Sequence, residues 1–157
     1  MKKRVSVILT AVLVVAMMFT LSGCGDKTAL TVEGFTQRAQ DQGCTVSDAT
    51  AQFASEAVIE SATIAKHADG WQVEFYVLTD EAAAVNMFDY NKSTFEESKG
   101  SSASAEASTN MGNNASYSLT IDGNYMFVCR VDNTVVYVSE DSAHKDAVKS
   151  LIKAMGY

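Results

Sequence analysis

The stretch Tyr125-Met126-Phe127-Val128-Cys129-Arg130-Val131 places the strongest constraint on the fold. Tyr125, Phe127, Cys129 and Val131 occupy one phase of a period of two, and Met126 and Val128 occupy the other. A strand with apolar side chains on both faces needs something packed on each side, so it belongs in the middle of a sheet. Its neighbours read as a meander. Tyr117, Leu119 and Ile121 share one face, with Ser116, Ser118 and Thr120 opposite, and Asp122-Gly123-Asn124 turns the chain. Asp132-Asn133 turns it again into Thr134–Val138.

The upstream half repeats this logic. Trp71, Val73, Phe75 and Val77 alternate with Gln72, Glu74 and Tyr76, a half-buried antiparallel strand. Asp69-Gly70 before it signals a tight hairpin from a strand over 57–67, with Ile64 facing inward. Cys44–Ser47 is a short candidate strand, and 48–56 reads as an ambiguous stretch that puts Phe53 into the core. Three segments carry helical periodicity. Thr31–Gln42 buries Val32, Phe35 and Ala39, with Thr31 as its cap and Gly43 as its stop. A second starts at Thr79 and carries Val85, Phe88 and Phe95. Glu140–Met155 carries Ala147, Val148, Leu151, Ile152 and Met155. The fold class is therefore α+β: an antiparallel sheet of about five to six strands with three helices, compatible with two αβββ halves and with helices over one face. Residues 100–114 have linker composition and no period, and are expected to form a flexible loop, with a binding lid as the functional alternative.

Ahead of this domain, Lys2, Lys3 and Arg4 precede an uncharged apolar run over Val5–Leu21, which ends in Leu21-Ser22-Gly23-Cys24. A positive start, an apolar segment and small residues before a cut site make a secretory signal. The four closing residues resemble the lipobox of bacterial lipoproteins, a resemblance that covers residues 1–24, and the domain that follows resembles a small envelope lipoprotein. The resemblance implies that residues 1–23 are a signal peptide, that Cys24 receives a diacylglycerol, and that residues 24–30 are a lipidated tether to a single domain over 31–157. It implies the extracytoplasmic face of the cell membrane. Gly25 carries no acidic retention signal, so the outer membrane of a double-membrane cell is permitted.

Removing the signal takes away three cations. The mature chain then has nine basic against nineteen acidic residues, a net charge of −10. That excludes nucleic acid as a natural partner and leaves the lipid on Cys24 to hold the membrane. With Cys24 lipidated, Cys44 and Cys129 remain, either as a disulfide or as two buried thiols. His67 and His144 have no ligand partner at metal-binding spacing, and no calcium loop, phosphate-binding glycine loop or serine elbow is present. No metal, cofactor or catalytic residue is expected. Tyr76 and Tyr137 lie out of phase with their apolar neighbours, so they form either an exposed aromatic binding surface or part of a covered face. The expected function is a non-catalytic binding or interaction module whose partner is a protein or small ligand. The alternative is a thiol- or disulfide-dependent enzyme or redox protein using Cys44 and Cys129.

Overall fold

The computed structural model describes residues 25–99 and 105–157. The signal segment and the lipobox through Cys24 lie outside these residues, as do positions 100–104. In chain order the elements are α1 (Val32–Asp41), β1 (Thr45–Asp48), a 3-10 turn (Thr50–Phe53), β2 (Ile59–Lys66), β3 (Gln72–Leu78), α2 (Glu81–Glu97), β4 (Ala105–Met111), β5 (Asn114–Ile121), β6 (Asn124–Val131), β7 (Thr134–Asp141), a second 3-10 turn (Ser142–His144) and α3 (Lys145–Met155).

All seven strands form one antiparallel sheet in the order β1-β2-β3-β7-β6-β5-β4. The first half is the expected αβββ unit. The second has four strands and meets the first through the β3–β7 ladder. The extra strand is β4. It occupies residues 105–111 of the stretch read as a flexible loop, and it pairs with β5 from Ala105↔Thr120 to Met111↔Asn114. Three consecutive two-residue turns build the meander, at 112–113, 122–123 and 132–133. Their first residues Gly112, Asp122 and Asp132 take φ of 54°, 49° and 49°. This left-handed backbone matches the twist of a tight hairpin, and Gly, Asn and Asp tolerate it best.

The helices cover both faces of the sheet, not one. On one face α1 and α3 bury Phe35, Ala39, Val148, Leu151, Ile152 and Met155 against Trp71, Val73, Phe75, Phe127, Cys129 and Val136. Phe35 and Phe75 stack with ring centroids 4.8 Å apart. On the other face α2 buries Ala84, Phe88 and Phe95 against Tyr76, Leu78, Tyr117, Leu119, Val128 and Val135. The two-sided apolar pattern of β6 is met in this way, one phase in each cluster.

Local chemistry sets the helix ends. Thr31 Oγ1 accepts from Gly34 N at 3.1 Å, and Asp80, rather than Thr79, caps α2 by accepting from Ala83 N at 2.7 Å. Ala84 replaces the expected Val85 in the core stripe. The last helix starts later than its charge pattern suggested. Glu140 and Asp141 finish β7 instead, where Glu140 Oε1 accepts from Gln72 N at 2.9 Å and Asp141 caps the 3-10 turn. Ala147 is exposed, and Gly156 closes α3 at φ 84°. Ile64 is half-buried, and Ala62 and Ala65 fill the inward positions of β2.

Candidate functional site

The tether expected over residues 24–30 is packed along its described part. Asn113, in the turn between β4 and β5, uses its side-chain amide as a second backbone. Its Oδ1 accepts from Lys27 N at 2.9 Å, and its Nδ2 donates to Lys27 O at 2.7 Å and to Asp132 Oδ1 at 2.9 Å. Asn114 Nδ2 donates to Gly25 O at 3.1 Å, and Leu30 N donates to the Tyr157 hydroxyl at 3.2 Å. Buried Arg130 ties the same corner together, donating to Asn113 O at 3.0 Å and pairing with Glu81 at 3.1 Å. Residue 25 therefore leaves the domain at one end of the sheet, beside the turns at 112–113 and 132–133 and the end of α3.

Tyr76 and Tyr137 are brought together on the face covered by α2, so they do not form an open aromatic surface. Tyr76 is 5% exposed, meets Phe53 edge-on at 5.4 Å and donates to Glu74 Oε2. Burial, and then the neighbouring Glu74 carboxylate, hold its hydroxyl well above the usual phenol range. Tyr137 is half-buried with its ring 5.7 Å from Phe95. The central strands demand cover on both sides, and α2 supplies it here.

Cys44 and Cys129 are both buried free thiols, and the structure keeps them apart. The ladder row from Cys129 runs through Val136, Phe75 and Thr63 to Asp48, crossing four strand gaps. At about 4.8 Å per gap that is about 19 Å, and Cys44 lies four residues beyond Asp48. A disulfide needs Cα atoms within about 7 Å, so the pairing considered from sequence is not made. Burial pushes the Cys129 thiol up to about 12 and raises Cys44 too, which leaves neither as a ready thiolate. His67 stacks on Trp71 at 4.8 Å and faces Asp69, and His144 immediately precedes α3. Among the described residues no group of three or more His, Cys, Asp or Glu side chains could hold a metal ion, and no helix is long and apolar enough to cross a membrane.

The site that sequence reasoning missed lies beside α3. Ser116, Ser118 and Thr120 of β5 pair with Cys129, Phe127 and Tyr125 of β6, and so share the face that α1 and α3 cover further along the sheet. Ala107 and Thr109 of β4 extend this row. These side chains are too small to bury a helix, so the helical layer stops at α3 and the last two strands project past it. The step is a groove of about 540 Å³. Tyr125, Phe127 and Ile152 lie at its floor, the β4–β5 hydroxyls form one wall, and Asp146, Lys149, Ser150 and Lys153 of α3 form the other. Its size is that of an ordinary ligand site. The alternating Ser/Thr phase of β5 was visible in the sequence, but it reads equally as a solvent-facing row, and β4, its partner in the wall, was not visible as a strand.

No family model and no curated protein matches the sequence. Among solved structures, the chain is similar to a crystal structure described as a GTP binding regulator from Thermotoga maritima. The two share 13% identity over 83% of this chain and 91% of that one, with a TM-score of 0.43.

Proposed function

We propose that this protein is a lipid-anchored extracytoplasmic binding module. It is held to the membrane by a diacylglycerol on Cys24, and it engages a ligand, without catalysis, in the groove between α3 and the β4–β5 hairpin. The observation that carries the anchor is Leu21-Ser22-Gly23-Cys24 behind a cationic and apolar signal, seven residues before the cap of α1. The docked tether fits this role. A domain hung from Cys24 would present the Asn113 corner to the bilayer and direct the opposite end of the sheet away from it. Two acyl chains suffice for stable anchoring, so an acidic domain needs no electrostatic help. Cys24→Ser tests the reading. The expected result is an unprocessed chain of higher mass that no longer takes up labelled fatty acid. Unchanged processing and lipid labelling would refute the anchor.

A further inference from the structure

The elements on the two sides of the groove carry a row of lysines and a row of hydroxyls. Lys145, Lys149 and Lys153 recur every four residues along α3, a step of about 6 Å. Thr120, Ser118 and Ser116 recur every two residues along β5, a step of about 6.7 Å in the opposite chain direction. One contact joins them: Lys145 Nζ donates to Thr120 Oγ1 at 3.0 Å while lying 5.4 Å above the Tyr125 ring. Lys149 and Lys153 follow on successive turns of α3, the row swinging about 40° per step, and the groove they line also takes in Ser118 and Ser116. Lys149 and Lys153 line the groove, are exposed, and enter no ion pair among the described residues. Asp146 is the one anion on the same wall. Three of the nine cations in residues 24–157 thus stand in one row, in a segment whose net charge is −10.

An ammonium facing a hydroxyl is a donor pair suited to a carboxylate. Donor rows that step by about 6–7 Å match the repeat of an extended peptide, whose alternate side chains point the same way at 6.4–6.8 Å intervals. We propose that the groove binds an extended acidic segment of a partner protein, with carboxylates at alternate positions held by Lys149 and Lys153 together with the hydroxyls of Ser118 and Ser116, and the intervening backbone over Tyr125 and Phe127. This rests on the groove being the binding site of the module. The negative domain repels such a segment at long range, but at physiological salt that repulsion is screened beyond about 8 Å, so the local lysine row decides.

The lipidated chain extracted from membranes and reconstituted in phosphatidylcholine nanodiscs, titrated into fluorescein-labelled Thr-Glu-Thr-Glu-Thr-Glu-Thr, tests the proposal by anisotropy. Binding is expected, with at least a tenfold loss for the double variant Lys149→Glu/Lys153→Glu and none for Lys66→Glu on β2. The Gln-for-Glu peptide and a peptide with its three Glu adjacent should both bind at least tenfold more weakly. Equal binding of either peptide would overturn the proposal, as would absence of binding or displacement by polyphosphate with no effect of Glu spacing. Circular dichroism of the double variant reports that it is folded. Retention in the disc is read on the same sample: loss of retention with peptide binding intact overturns the anchor alone, and retention without peptide binding overturns the groove alone.

Discussion

Asn113→Ala should undock the tether while leaving the sheet intact. The side chain makes two bonds to Lys27 and one to the Asp132 carboxylate. A neutral hydrogen bond contributes about 1 kcal/mol net, and one to a charged group about 1.5–3. Asn113 is half-exposed, so water replaces part of each bond and the low end applies. The two tether bonds together contribute about 2 kcal/mol. Since 1.4 kcal/mol is a factor of about ten, the Lys27 amide should exchange with deuterium about 30-fold faster in the variant. Amides of β6 such as Val128, in the interior of the sheet, should accelerate only as far as global stability falls. Native-state hydrogen exchange resolved by residue measures both. If Lys27 already exchanges at the rate of unstructured chain in the unsubstituted protein, the tether is not docked. If its exchange is unmoved by Asn113→Ala, the docking does not run through this side chain.

Asn113→Asp is a sharper companion. The carboxylate keeps the acceptor for Lys27 N but loses both donors, and it places a second negative charge where the amide now sits 2.9 Å from Asp132. It should release the tether more completely than Ala at pH 7, and part of the docking should return as pH falls through the carboxylate range. An Asp variant indistinguishable from Ala across pH would remove Asp132 from the account.

Other regions give further outcomes. Phe35→Ala removes a fully buried ring stacked on Phe75 and should cost about 3–5 kcal/mol in urea unfolding. At pH 8 the native Cys24→Ser chain should leave a thiol reagent unreacted, whereas denaturant should release two thiols without reductant; a disulfide would release none. Burial raises Cys129 and Tyr125 to about 12, so folding favours their neutral forms. That stability is complete below their ordinary values of about 9 and 10, and is lost as pH rises from there toward 12. The urea midpoint should therefore fall between pH 8 and 10.5, with a shallower fall in Cys129→Ala; equal slopes would show that the thiol does not contribute. Deleting 105–111 should expose the β5 edge and promote self-association in analytical ultracentrifugation, where a true loop would be removed silently.

Much of the architecture was legible because it rests on period and turn chemistry. The alternation in Trp71–Val77, the two-sided apolar β6, and the Asp122-Gly123 and Asp132-Asn133 turns each led to the element found, whereas Asp69-Gly70 lies in a five-residue connection over 67–71 and not in a tight hairpin. One source of misreading is that pairing by backbone alone leaves no apolar signal. β4, with Ala105-Glu106-Ala107-Ser108-Thr109-Asn110-Met111, holds its register through ladder bonds to β5 and reads as a linker. Glu140 and Asp141 suit the first turn of a helix as well as they suit a strand end, and the ladder with Asn124 and Tyr125, together with the contact to Gln72, 68 residues earlier, selects the strand. The Tyr76 and Tyr137 face depended on where α2 would lie, and one sequence does not say which face a helix covers. The cysteine pair depended on strand order, which places β3 beside β7 and puts four strand gaps between the two thiols. The groove needed both β4 and the position of α3, so it was the least visible of all.

The groove exists because side-chain size along one face of the sheet falls from Trp71, Val73 and Phe75 through Phe127 to Ser116 and Ser118. Ser118→Leu turns that statement into a measurement of sign. Ser118 is half-buried and faces the step between β5 and α3. If the step is open, a leucine there fills empty space against Phe127 and Ile152, and its apolar burial should raise stability by about 1–2 kcal/mol. If the hydroxyl row is instead packed against α3, the added bulk forces side chains off their rotamers and should cost about 1–3 kcal/mol. The open groove predicts the first result, together with loss of acidic-peptide binding, because the leucine replaces a hydroxyl that lines the same groove as Lys149. A destabilised Ser118→Leu chain would show that there is no groove to fill, and the site would then have to be sought elsewhere on the molecule.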